Sequence, residues 1–329
     1  MSDKRRVMLL GGTGTIGRAT AQALLDQGHE VICYLRHDAK DPRRGLPAAA
    51  ILRFGDVTNA AALQKDGFAG QKFDVLVSCL ASRTGRPADA WAIDHQAHVA
   101  ALTLAQAAGI TQMVLLSAIC VQKPLLAFQH AKLAFEKVLV ESGMDHTIIR
   151  PTAFFKSLSG QVERVRQGQP FLIFGDGTLT ACKPISDNDL ARFIVDSIDN
   201  PAKRNKILPI GGPGPAITPL QQGEHLFHLL NRTARYRQVP VKMMDAIIGG
   251  VGLLGRFSPS LRDKAELAKI GRYYATQSML VLNPATGLYD AEATPETGTD
   301  TLFEFYESLL NRQTTVDLGA HAMFKRNVA

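Results

Sequence analysis

Long apolar runs are missing from this chain. The longest, Ala246 to Gly255 (AIIGGVGLLG), is about half of the ~20 residues that a membrane-spanning helix requires. A transmembrane helix is thereby excluded; a surface that touches a membrane or a large apolar ligand is not. Cysteine is scarce: Cys33, Cys79, Cys120 and Cys182 stand apart, with no CxxC spacing and no His/Cys cluster. That argues against a thiolate metal site and a disulfide framework, and reads best as buried thiols in a reducing compartment. No HExxH, Ser/His/Asp order or paired-carboxylate motif is present, and no metal site is expected. No secretory signal is legible either, since Asp3-Lys4-Arg5-Arg6 leads straight into a strand-like run. The basic residues read as dispersed and without interleaved aromatics, which argues against nucleic acid.

What is present is ordinary in bulk and specific in detail. With 329 residues, 46% hydrophobic and 20% charged, the chain can bury a sizeable core in one large or two small domains. A net charge of +7 favours phosphates, carboxylates or acidic lipid surfaces as partners. Apolar strand-like runs at Val7–Leu10, Glu30–Leu35, Ala50–Phe54, Asp74–Leu80, Met113–Ser117 and His146–Arg150 alternate with helical patterns at Ile16–Gln27, Asn59–Lys65, Ala90–Ala108 and Ala127–Ser142. Near-continuous apolar strands alternating with helices predict an α/β fold with a doubly wound parallel sheet. Beyond Pro151 the pattern loosens. A helix begins near Asp187, Lys206–Ile210 reads as a strand returning to the same sheet, and helices follow at Pro219–Asn231 and Met243–Leu254. The expectation is a dinucleotide-binding Rossmann domain over 1–155, a smaller interleaved substrate lobe over 156–310, and a poorly ordered tail over 311–329.

Between the first strand and the first helix, Gly11, Gly14 and Gly17 are spaced as GxxGxxG. Side chains there would keep a pyrophosphate away from the helix N-terminus, whose free N–H groups and dipole attract anions. Strand, glycines, helix and second strand occur in order, so the loop reads as a dinucleotide cradle. After the second strand, an NAD site would place an acid for the ribose hydroxyls; this chain has Leu35-Arg36-His37. Arg36 suits a 2′-phosphate and adenine stacking, which points to NADPH.

These spacings resemble the short-chain dehydrogenase/reductase superfamily in its extended or atypical branches. That resemblance implies an adenine contact at Asp56, a catalytic-position serine at Ser117 after the fifth strand, and a YxxxK motif on the next helix. Here the motif reads Phe128-Gln-His-Ala-Lys132, with phenylalanine in place of the acid tyrosine. Lys132 retains the role of ribose anchor or proton donor, whereas Phe128 cannot donate a proton. Alcohol–ketone chemistry and sugar epimerisation are therefore disfavoured. The implied cofactor residues are Gly11, Thr13, Gly14, Thr15, Ile16 and Gly17 in the loop; Arg36, Asp56 and Val57; Cys79, Leu80 and Ala81; Lys132; and Pro151 with Thr152.

Longer runs are similar to the divinyl chlorophyllide 8-vinyl-reductase family: Ser78-Cys-Leu-Ala-Ser-Arg83, Trp91-Ala-Ile-Asp94, Leu115 to Leu126, Arg150 to Ser157, Phe174-Gly-Asp-Gly177, Ala181 to Ile185, and Ile270 to Ala275 with Ser278 to Val281. The resemblance implies NADPH-dependent reduction of the C8 vinyl group of a magnesium chlorophyllide- or protochlorophyllide-type pigment, in a cytoplasmic enzyme with peripheral contact at photosynthetic membranes. Hydride delivered to a vinyl terminus makes no alkoxide, so the absent tyrosine becomes intelligible. Phe128, Phe154, Phe155 and the Met243–Ile248 stretch are candidates for an apolar pigment pocket or for plain core. Lys123, Lys156 and Lys183 are candidates for the pigment's propionate, and His130 for its magnesium. Another NADPH-dependent reductase of conjugated double bonds, and a non-catalytic NADP-binding assembly or sensor protein, remain alternatives at this point.

Overall fold

The computed structural model describes residues 4–38, 40–254 and 259–315, so the tail expected over 311–329 lies outside the described residues from 316 onward. The chain forms two compact units. The first comprises Met1–Arg83, Pro87–Pro151 and Asp187–Pro209; the second comprises Thr84–Arg86, Thr152–Ser186 and Ile210–Ala329. The first unit therefore takes back a helix as well as a strand from the later sequence.

In the first unit, β1 (Arg6–Leu10), β2 (Glu30–Leu35), β3 (Ile51–Phe54), β4 (Val75–Ser78), β5 (Gln112–Leu116), β6 (Asp145–Pro151) and β8 (Lys206–Ile210) form one sheet in the order β3-β2-β1-β4-β5-β6-β8. The pairs β1–β2, β1–β4, β2–β3, β4–β5 and β5–β6 are all parallel. Val7, Met8 and Leu9 are wholly buried, as befits a strand covered on both faces. The order reverses between β1 and β4, the switch point at which such sheets hold nucleotides beyond the strands' carboxyl ends.

Helix α1 (Thr15–Asp26) buries Ile16, Thr20, Ala21 and Leu24, one side of a 3.6-residue period, and packs along α5 (Asp187–Asp199). It stops at Gln27, where Gly28 takes φ +83° and turns the chain into β2. The alanine-rich segment expected as one regular helix is helical over residues 87–107 (α2), but its part Trp91–Ala97 is wound as a π-helix. Alanines specify helix without specifying its winding; the wide turn here accompanies the burial of a carboxylate, Asp94. Helix α3 (Ala127–Glu141) begins at Leu126 with a buried glutamine as its clamp. Gln129 accepts from the Leu125 and Leu126 amides at 2.7 and 2.9 Å and donates to the Cys120 carbonyl at 3.0 Å.

The second unit has its own core. Strands β7 (Phe171–Phe174) and β9 (Tyr236–Val239) pair in parallel. Around them α4 (Val162–Arg166), α6 (Pro219–Leu229) and α9 (Leu302–Leu310) bury Phe155, Val165, Leu226, Phe227 and Tyr306. Capping boxes start α6 (Thr218 with Gln221) and α9 (Thr301 with Glu304). Helices α7 (Val241–Leu254) and α8 (Pro259–Thr276) pack on each other, joined by an ion pair between Asp245 and Arg272.

Candidate active site

The glycine loop divides into two packing glycines and one open one. Gly11 has φ +74°, and a Cβ there would lie 2.4 Å from the Cys79 carbonyl carbon at the end of β4. At Gly17 it would lie 2.2 Å from the Gly11 oxygen. Gly14 differs: the nearest atom to a Cβ would be the Gly11 oxygen, at 3.4 Å. Gly14 is also the residue from which α1 departs, with no side-chain cap and no acid in the first turn. A helix start carrying roughly half a positive charge, open on the side of Gly14, fits a pyrophosphate.

Arginine surrounds this loop to a degree that the sequence reading missed. Arg36 follows β2, is exposed, and makes no ion pair among the described residues. Arg18, directly after Gly17, donates to the Thr13 carbonyl at 2.8 Å, and Arg83 reaches the Thr13 hydroxyl at 3.4 Å. Arg44 pairs with Asp38 at 2.7 Å. Partial burial, followed by the positive charges of Arg36, Arg44 and Arg18, lowers the Arg83 pKa from the ordinary arginine range. Such mutual repulsion is what a doubly charged phosphate would relieve. The signal was in the text, as an arginine on the last glycine of the motif and another at the end of the Ser78–Arg83 run. Asp56 accepts from the amide and hydroxyl of Thr58 at 2.9 and 2.7 Å, which, with Arg36 nearby, holds its carboxyl below the usual range. Val57 packs against the core beside it, and Leu80 does the same after β4. Cys79 and Leu80 are half-buried and Ala81 is exposed. Burial pushes the Cys33 and Cys182 thiols up to about 12, which makes them inert packing groups.

The other half of the site is already paired within the protein. On α3, Phe128, Lys132 and Glu136 recur every four residues and so share a face. The Lys132 ammonium lies 3.0 Å from Asp94, which is 1% exposed and takes the Ser82 hydroxyl at 2.5 Å and the Ser82 amide at 3.3 Å. Beside that pair, His98 is buried with its ring tilted at 37° against Phe135, ring centroids 4.8 Å apart. Its Nδ1 lies 2.8 Å from the Ile93 carbonyl and its Nε2 2.8 Å from the Ser78 hydroxyl. A proton on Nδ1 satisfies both contacts. Desolvation, then the Lys132 charge, drives the His98 pKa down to about 4.

Ser117 stands after β5 but does not stand free. Its hydroxyl donates to Glu136, whose carboxylate is also bonded by Arg150 from β6. Glu136 is 3% exposed and Ser117 6%. The serine proton thus points at a carboxylate held by a guanidinium, an arrangement that fixes the carboxyl ends of β5 and β6. Asp94, His98, Glu136 and Arg150 are not marked as site residues in the sequence, although Asp94 and Arg150 lie in the family-like runs, because no motif announces a contact between separate elements.

Pro151 ends one segment of the first unit, and Thr152 begins a segment of the second, where its hydroxyl donates to the Lys183 carbonyl. Lys183 is a correction to the propionate candidates: it is buried, and its ammonium is held by Glu296 and the Thr294 carbonyl. Lys123 and Lys156 are half-buried and His130 is exposed. Phe155 belongs to the core of the second unit, its ring 5.5 Å from that of Phe305, whereas Phe154 and, in the first unit, Phe128 are half-buried. Of the Met243–Ile248 stretch, Met243 and Ile247 are about half exposed, at 49% and 48%.

Residues 11–201 match the model of an NAD(P)H-binding family. Over 97% of its length, and 82% of the relative's, the chain is 48% identical to the chloroplastic divinyl chlorophyllide a 8-vinyl-reductase of Oryza sativa subsp. indica. Among solved structures, the NADPH complex of leucoanthocyanidin reductase from Vitis vinifera superposes with a TM-score of 0.66 at 17% identity, covering 93% of this chain and 99% of that one. The epimerase Mth375 of Methanothermobacter thermautotrophicus gives 0.67 at 15% identity over 94% and 95%. These two likenesses concern the fold.

Proposed function

The chain belongs to the divinyl chlorophyllide a 8-vinyl-reductase family, and from that premise we propose that it uses NADPH to reduce the C8 vinyl group of a divinyl chlorophyllide or protochlorophyllide to ethyl. It is an oxidoreductase acting on a carbon–carbon double bond, and the isoflavone-type and non-catalytic alternatives give way to that reading. The observation that carries the chemistry is the face of α3, where a lysine stands clamped by a buried aspartate and one turn earlier a phenylalanine occupies the position of a phenol.

NADPH is supported by the arginines around the glycine loop and by the lack of an acid after β2. In this reading Arg36 meets the 2′-phosphate, the α1 N-terminus with Gly14 takes the pyrophosphate, and Asp56 receives the adenine amino group. The nicotinamide, once bound, supplies hydride. Lys132 anchors the adjoining ribose: Asp94 accepts one of its three N–H donors and directs the ammonium, leaving the others for ribose hydroxyls. Hydride received at the terminal vinyl carbon leaves negative charge spread through the macrocycle, so no phenol is needed to protonate an alkoxide. Phe128 keeps that part of the site apolar. Phe154 and Lys156 are the pigment contacts that this reading carries over from the family resemblance, and Phe155 belongs to the core of the second unit. A pigment of this kind partitions toward lipid, and peripheral contact with a membrane is part of the same reading.

The test is a pigment assay. Purified protein, NADPH and divinyl chlorophyllide in detergent solution should move the Soret band to shorter wavelength as one double bond leaves the conjugated system. A band that stays in place while NADPH remains unoxidised overturns the assignment.

A further inference from the structure

The basic excess that reads as dispersed along the sequence is concentrated in one stretch. Residues 232–276 carry nine lysines and arginines against three acids, whereas the rest of the chain carries 28 against 27. The same stretch contains α7, whose only charged residues are Lys242 and Asp245. Val241, Met244, Ile248 and Val251 form a half-buried stripe along it. Met243, Ala246, Ile247 and Gly250 form a second stripe, equally apolar, and that one is exposed. Asp245 is neutralised by Arg272 of α8. A helix apolar on both sides with one side uncovered is not finished by its own unit. Near it in the chain, Arg235 and Arg237 are exposed while Tyr236 between them turns inward onto Phe171 and Phe227. Lys242, Arg262 and Lys264 are exposed on α7 and α8, and Lys269, exposed as well, pairs with Glu266 at 2.7 Å.

We propose that the exposed Met243–Ile247 face of α7 docks on an anionic lipid surface, with the surrounding lysines and arginines on the headgroups. An apolar stripe flanked by cations is what such an interface accepts: the stripe enters the boundary between headgroups and acyl chains, and the cations stay at the phosphates. With 14 residues against the ~20 needed to span, α7 lies in the plane of the surface and does not cross it. A second copy of the chain fits less well, because pairing two such faces brings the same positive excess together twice. Nucleic acid would satisfy the cations and leave the methionine and isoleucine in water. The inference specifies the peripheral contact named above and stands apart from the reductase chemistry, which the detergent assay reads without lipid.

The experiment is co-sedimentation of the full chain with vesicles of phosphatidylglycerol mixed equally with phosphatidylcholine, against phosphatidylcholine alone. Binding to the anionic vesicles, weakened by salt, is expected. The double variant Met243→Glu/Ile247→Glu should lose about tenfold or more of that binding, and Lys242→Ala/Lys264→Ala a few-fold. Both should keep the wild-type circular dichroism and NADPH titration, which excludes misfolding as the cause. Equal binding by wild type and the glutamate variant overturns the proposal. So does a dimer in sedimentation velocity that the glutamates dissociate with no vesicle binding at all, which would make a second copy the occupant. A variant that loses pigment affinity in lipid-free solution while binding vesicles normally also overturns it, and assigns the face to the pigment.

Discussion

Two groups of charged side chains lie at the carboxyl ends of the parallel strands, and they follow opposite plans. Around the glycine loop, guanidiniums crowd one another at the surface, with Arg36 unengaged by any ion pair among the described residues. Around α3, each buried charge already has its counter-charge: Lys132 with Asp94, Glu136 with Arg150. In the proposed reading the first group, crowded with like charge, gains from an incoming phosphate and so serves affinity and selectivity. The second has exchanged hydration for fixed partners, and in the same reading serves position, because a reacting geometry must exist before the ligand arrives. Substitutions in the first group should read out in cofactor binding; those in the second should read out in stability and turnover together.

The largest effects should separate the glycines. Gly11→Val and Gly17→Val force a side chain into backbone at 2.4 and 2.2 Å, and should abolish a cooperative melt as well as NADPH binding. Gly14→Val meets only a 3.4 Å contact, so the melting temperature should change by no more than a few degrees while fluorescence titration with NADPH is lost. A Gly14 variant that binds NADPH normally would move the pyrophosphate elsewhere.

Next in size is the buried pair. Asp94→Ala strands the Lys132 ammonium beside Ser82 and should cost about 3–5 kcal/mol of stability by chemical denaturation. Asp94→Asn keeps the shape and removes the charge; it should stay folded, with lower turnover or a higher NADPH KM. Lys132→Ala distinguishes the two roles of the lysine, since loss of an anchor chiefly raises the NADPH KM and loss of a proton donor chiefly lowers kcat. Normal values of both would remove this helix from the active site.

His98 tests the same network by pH. Its pKa is about 4 when folded against 6.5 when exposed, so the unfolded chain binds the extra proton between those values. The stabilisation is therefore complete above pH 6.5 and is lost as pH falls toward 4, by about 3 kcal/mol in all. His98→Gln should show a correspondingly flatter stability profile over that window; parallel profiles would mean that the ring is not held neutral.

Smaller again is Arg36→Glu. Reversing a charge at the 2′-phosphate should lower the preference for NADPH over NADH by about tenfold to a hundredfold in KM ratio, with stability unchanged. An unchanged ratio would shift the selectivity to Arg18, Arg44 and Arg83. Smallest is Phe128→Tyr, which should bring no gain in turnover and at most a modest loss, since a half-buried hydroxyl without a partner costs roughly 1–3 kcal/mol. A clear gain would mean that the reaction wants a phenol after all.

The sequence by itself determined whatever depends on neighbours along the chain. The glycine spacing, the apolar strands, the helices between them, the arginine that replaces an acid after β2 and the phenylalanine that replaces a tyrosine are all local patterns, because backbone conformation and strand burial are set within a few residues. Tertiary structure alone decided which of those residues remain available. Ser117, Glu136 and Arg150 are separated by 19 and 14 residues and meet only because β5, α3 and β6 are adjacent in space. Asp94 faces Lys132 through a π-helical turn that its alanine-rich surroundings do not encode. Lys183 looked like any other lysine until burial beside Glu296 withdrew it from the surface. Two ions can trade water for each other only once both are enclosed, and enclosure is a property of the packed chain.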